Sequence, residues 1–218
     1  MPTARESLLD AASRAIAVRP WSRVRMVEVA VAAKVSRQTL YHEFGDKEGL
    51  ARALLRREAD VFLAGVERVL TAPGGPDPAE RLVALAGWTV RTARGSPLLR
   101  AMLTGCWSEW LPRPAWPDDT LRRGRSSTGR RADVPPPSPA ELLGEVRERA
   151  VAVLAGGRHG PLTEELRRDG EAVLRLALSC VLVPGGAEER ALLLRGCRAD
   201  RAGPRGAPGA RADGADRR

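Results

Sequence analysis

Apolar residues return every three or four positions along most of this chain, and no stretch of useful length alternates apolar with polar residues. Helical recurrence without strand alternation confines the chain to an all-α fold. Proline and glycine then cut the recurrence into pieces. The spacing predicts a first helix over Ala4–Val18, with Leu8, Leu9, Ala12 and Ile16 on one face and Pro20 beyond its end. Two short helices follow, over Met26–Ala33 and Arg37–Glu43. Gly45-Asp46 separates them from a long helix running from Lys47 to Leu70, whose expected inward stripe is Leu50, Leu54, Val61, Gly65 and Val69.

Beyond the loop at Pro73–Pro78, helices are expected over Ala79–Ala93 and from Pro97 to Trp110, the latter opened by a Ser96 cap with proline at the first helical position. Residues 112–139 hold seven prolines and a run of arginines and read as a long loop or disordered insert. Ser138-Pro139-Ala140-Glu141 has the capping-box pattern and starts a helix to Leu154. Further helices are expected over Thr163–Val183 and Ala187–Cys197, and 198–218 reads as a disordered tail.

The formal net charge is +9, which favours a polyanionic partner. Residues 1–47 carry a net +3, and 112–133 and 196–218 each carry the same. Only the first of these surpluses lies in sequence that looks folded. The three cysteines, Cys106, Cys180 and Cys197, form no C-x-x-C pair, so neither a disulfide framework nor a zinc site is expected. No apolar run approaches the roughly 18 residues of a membrane span. The polar N-terminus has no signal-peptide core. A cytoplasmic location is the expectation. There is no G-x-S-x-G, no Walker loop and no paired histidines, so the chain is not expected to be an enzyme or to need a metal or cofactor.

The informative stretch is Val29 to Leu50. Two short helices flank a three-residue turn, the layout of a helix-turn-helix. Val35 plugs the turn, and Ser36 is placed to cap the helix that follows. Leu40 and Phe44, four apart, face inward. Arg37, Gln38, Tyr41 and His42 face outward, with Thr39 near the edge. Arg and Gln can grip guanine and adenine edges with two hydrogen bonds, while Thr39, Tyr41 and His42 suit phosphates or the thymine methyl. Lys47 begins the long helix, where its ammonium and the helix amides both favour a phosphate.

These residues carry a resemblance. The run Val35, Ser36, Arg37, Thr39, Leu40, Tyr41, Phe44, Lys47, Glu48 and Leu50 is similar to the end of the TetR-family DNA-binding domain. The likeness reaches back through Leu8-Leu9-Asp10-Ala11-Ala12 and covers about residues 5–55. A looser likeness to an actinobacterial C-terminal domain lies in Pro97–Thr104 and Arg175–Ser179. The resemblance implies a three-helix helix-turn-helix domain (1–47) joined by a long helix to a helical bundle for dimerisation and ligand binding (48–197). It implies a homodimer on a palindromic double-stranded operator, usually repressing nearby genes in response to a ligand. The alternative is a DNA-binding protein of the same fold with no ligand response.

Two departures from the family pattern add cations. Lys34 stands where the turn usually has glycine, which predicts a positive φ costing about 1 kcal/mol. Arg25 stands where a capping threonine is common. Candidate DNA-binding residues are thus Arg25, Lys34, Ser36, Arg37, Gln38, Thr39, Tyr41, His42 and Lys47. Trp88, Met102 and Trp107 are candidates for lining a cavity for a small apolar effector. Leu174, Leu178, Val181, Leu192 and Leu193 are candidate dimer contacts.

Overall fold

The computed structural model describes residues 2–72, 77–114, 135–156 and 160–183. Among them the secondary structure is helical: α1 (Ala4–Val18), a 3-10 turn (Trp21–Arg23), α2 (Met26–Ala32), α3 (Arg37–Phe44), α4 (Lys47–Thr71), α5 (Pro78–Gly95), α6 (Pro97–Thr104), α7 (Pro139–Ala155) and α8 (Pro161–Leu182). The expected last helix over 187–197, the tail, and most of the 112–139 insert lie outside the described residues.

Helices α1 to α3 pack on one another, and α1 and α3 pack on α4. α1 is opened by a capping box in which Thr3 and Glu6 satisfy each other's amides. Its buried face, Leu8, Leu9, Ala11, Ala12 and Ala15, meets Val29 and Ala30 of α2, Leu40 and Phe44 of α3, and Leu50 and Leu54 of α4 in one apolar cluster. That cluster continues without a break to Val181, so α4 joins the N-terminal helices to the C-terminal bundle through a shared core. Within the bundle α5 packs on α4, α6 and α8, and α7 packs on α4, α6 and α8.

Polar contacts reinforce α4 on both sides. Arg57 donates to the Asp10 carboxylate (2.6 Å), the Leu9 carbonyl (3.2 Å) and the Ser13 hydroxyl (2.5 Å), all on α1. Its neighbour Glu58 accepts from the Ser96 hydroxyl at 2.6 Å. Ser96 is the last cap of α5 and the first of α6, and its oxygen also accepts from the Leu99 amide. Farther along α4, Gly65 faces the Trp88 indole so closely that a Cβ would lie 2.4 Å from the ring. Trp88 stacks on Phe62 at 5.4 Å between ring centroids.

Three expectations need correction. Val61 is 61 % exposed, whereas Phe62, Leu63 and Val66 are buried. The rest of the expected stripe stands, with Leu50, Leu54 and Gly65 buried and Val69 packed against the core, and the buried face is wider than one stripe because α5, α6 and α7 all pack on α4. α6 stops at Thr104 and not at Trp110, because Gly105 takes a left-handed conformation (φ 73°) and its amide closes on the Ala101 carbonyl. Leu174 and Val181 are 4 % exposed within the single chain, and they belong to the core that α8 makes with its own bundle. They leave almost no surface for a partner.

Candidate nucleic-acid interface

The turn between α2 and α3 has a defined hydrogen-bond pattern. The Val35 amide donates to the Ala30 carbonyl and the Lys34 amide to the Val31 carbonyl, both at 3.0 Å. This pair of bonds is the Schellman closure of a helix, with its left-handed residue at Lys34. Lys34 has φ 56°, the positive value expected from its place in the turn, and no other non-glycine residue among those described has a positive φ. The closure aims the chain so that Val35 packs against the core while Lys34 stays exposed.

Ser36 then caps α3. Its hydroxyl accepts from the Thr39 amide at 3.0 Å and shares a 2.8 Å hydrogen bond with the Thr39 hydroxyl. α3 is held from behind by Leu40, fully buried, and Phe44, nearly so. Arg5 of α1 sits over the Phe44 ring at 4.8 Å and pairs with Glu43 at 3.5 Å, clamping the far end of the helix. The opposite face carries Arg37, Gln38, Tyr41 and His42, all exposed, with Thr39 half-buried at its edge. Among the described residues, Arg25, Lys34, Arg37 and Gln38 make no side-chain hydrogen bond or ion pair. An exposed cation without an acid partner keeps its full charge for a polyanion.

Arg25 precedes α2 and, as expected from the missing threonine, supplies no side-chain cap. Lys47 is half-buried at the start of α4. Its ammonium donates to the Ser22 carbonyl at 3.2 Å and lies 5.1 Å from the centre of the Trp21 ring. Burial pushes its pKa below that of an ordinary lysine, an effect that Glu48 beside it partly opposes. Trp21 was not among the candidates from sequence. An aromatic just after Pro20, at the edge of the helix-turn-helix, was the only available signal.

The other candidates scatter. Met102 is 2 % exposed and lies inside the bundle core. Trp88 fills the space between Phe62 and Gly65. Trp107 packs on the core from the segment after α6. None of the three lines the open groove of about 490 Å³ on α7 and α8, which is bordered by Arg147, Arg167, Arg168, Glu171, Ala172 and Arg175. Leu178 is half-buried against the core, and Leu192 and Leu193 lie outside the described residues.

The exposed polar face, the capped N-terminus and the apolar anchors of α3 agree with the comparisons to known proteins. The sequence model described as "Bacterial regulatory proteins, tetR family" matches residues 8–54. HTH-type transcriptional regulator Rv1255c of Mycobacterium tuberculosis is 31% identical over 198 residues, covering 87% of this chain and 81% of that one. HTH-type transcriptional regulator AlkX of the same species is 37% identical over 101 residues, 46% of this chain, and the match spans only about half (47%) of AlkX. In fold the chain is similar to Thermus thermophilus FadR, a TetR family transcriptional repressor solved in complex with lauroyl-CoA. That likeness has a TM-score of 0.50 and 20% identity, and it covers 97% of this chain and 100% of FadR. With a relative of this identity matched over most of both chains, the protein belongs to the TetR family of DNA-binding transcriptional regulators.

Proposed function

We propose that the protein is a repressor that binds a palindromic operator as a homodimer and is released by a small apolar effector. The observation that carries the DNA-reading part is the two-faced α3: Leu40 and Phe44 buried behind it, Arg37 and Gln38 exposed without partners among the described residues. In this reading the N-terminal residues of α3 enter the major groove. Arg37 and Gln38 read base edges. Arg25, Lys34, Thr39, Tyr41, His42 and Lys47 meet phosphates or the groove wall, and Ser36 holds the helix start. Two such helices would contact half-sites about 34–36 Å apart.

The division of labour follows the chain: 1–47 for DNA, 48–197 for pairing and sensing, and 198–218 as a tail, all in the cytoplasm. Pairing uses the segments 163–183 and 187–197. With Leu174 and Val181 turned into the bundle, the contribution of α8 falls to residues such as Leu178 and Leu182. The lauroyl-CoA held by Thermus FadR supports an effector with an apolar chain. α4 is suited to carry the response, since adjacent residues Arg57 and Glu58 grip α1 and the α5–α6 junction. The effector needs only to bind one arrangement better than the other, typically by about 1–3 kcal/mol. A second reading, regulation without a ligand, is favoured by the filled packing around Met102 and Trp88.

A gel-shift titration of the full chain on the DNA upstream of its own gene tests the reading. Arg37→Ala with Gln38→Ala is expected to cost about 1–3 kcal/mol for each lost base contact. Operator binding as tight as the parent's would overturn the assignment. Titration of acyl chains into the complex separates the two readings: release supports sensing, and indifference supports the second.

A further inference from the structure

The cation at the start of α4 is held by a chain of contacts that reaches the C-terminal bundle. Lys47 Nζ donates to the Ser22 carbonyl and sits against the Trp21 ring. The Trp21 amide in turn donates to the Trp110 carbonyl at 3.0 Å. Trp110 belongs to the segment after α6, which Trp107 and Leu111 fasten to the apolar core. Residues 21 and 110 are far apart in sequence, so this contact is a second connection between the N-terminal helices and the bundle, separate from α4.

A free lysine side chain samples many rotamers, and ordering it on a phosphate costs entropy. An aromatic face about 5 Å away attracts the ammonium and narrows that freedom before DNA arrives. We propose that Trp21 is a positioning residue for DNA binding, fixing the Lys47 ammonium for a backbone phosphate and tying it to segment 105–111 behind α6. The proposal rests on the reading that Lys47 meets a phosphate. It gives the bundle a route to a DNA contact that bypasses the length of α4. A displacement of the segment after α6 moves Trp21, and Trp21 carries the lysine with it.

The test compares Lys47→Gln, Trp21→Ala, Trp21→Phe and the Lys47→Gln/Trp21→Ala double variant of the full chain. Binding is measured by fluorescence anisotropy across a salt series, on the gene's own upstream duplex and on a scrambled duplex of equal length. Melting curves confirm that each variant is folded. A lost phosphate contact weakens binding to both duplexes alike and lowers the salt slope by about 1 per contact. Lys47→Gln is expected to show that slope change. Trp21→Ala is expected to share it, with an affinity loss of about two- to fivefold, the range set by a cation–π contact at an exposed site. Trp21→Phe keeps a ring and is expected to keep the parental slope. The double variant is expected to match Lys47→Gln alone.

An unchanged slope in Lys47→Gln sinks the phosphate reading of Lys47. A changed slope in Lys47→Gln with an unchanged one in Trp21→Ala, or losses that add in full, leaves that reading standing and overturns the positioning role. Trp21→Pro tests the tie to the bundle, since it lacks both the ring and the amide proton while Trp21→Ala lacks only the ring. A further affinity loss in the proline variant is expected, and equal affinities overturn the tie.

Discussion

The cations of the N-terminal helices and those of α7 and α8 are treated in opposite ways by the fold. On α7 and α8, Arg147 pairs with Glu148 and Glu171, Arg167 with Glu148 and Glu164, Arg175 with Glu171, and Arg149 with Glu67 and Glu145. The hydrogen bond from Arg167, above all, holds the Glu148 carboxyl below the usual range, and Arg175 does the same for Glu171. Around α2 and α3, Arg5 and Arg19 have acid partners, Glu43 and Glu28, while Arg25, Lys34 and Arg37 have none among the described residues. A whole-chain charge of +9 hides this difference. What draws a polyanion is the cation without a local partner, and these gather around the turn before α3 and the start of α3 itself.

The contrast can be broken most forcefully from behind. Leu40→Ala removes the fully buried anchor that orients the outward face and is expected to cost about 2–5 kcal/mol in urea unfolding. DNA binding should fall with it, while the α7–α8 pairs stay intact. Arg57→Ala cuts three hydrogen bonds between α4 and α1 and is expected to cost about 1.5–3 kcal/mol by the same measurement. Lys34→Gly relieves the positive φ and is expected to stabilise the fold by about 1 kcal/mol in thermal melts while weakening DNA binding. A gain in both would show that Lys34 does not serve the DNA face.

The smallest effect is on the paired side. The folded pKa values of Glu148 and Glu171 are lowered, so their contribution is complete above the unfolded carboxylate value and is lost as the pH falls through the lowered one. Solvent-exposed pairs of this kind are screened and contribute little. Melting temperature should therefore decline on acidification below about pH 4.5, and Arg167→Ala should flatten that decline.

The sequence was most legible where a local rule decides the structure. Ser36 caps α3, Pro20 bounds α1, and Lys34 takes a left-handed turn residue's conformation, each because of residues within four positions. It was least legible where distant packing decides. The placement of Val61 outside and Phe62 inside depends on which helices cover α4, and the burial of Leu174 and Val181 depends on how α8 meets its own bundle. Periodicity marks an apolar face without saying whether it meets its own chain or another copy. The bond between Trp21 and Trp110 leaves no trace in local sequence at all. Gly105 could have been recognised as the end of α6, since a left-handed glycine is a common helix terminator.

The notch at Gly65 has a mechanical consequence. A helix that admits an indole into its side cannot slide or roll against that neighbour without first expelling the ring, so α4 is pinned to α5 at this point. Lys47 lies about 27 Å along α4 from this pin, and Glu58, bound to Ser96, fixes the helix to the α5–α6 junction again between the two.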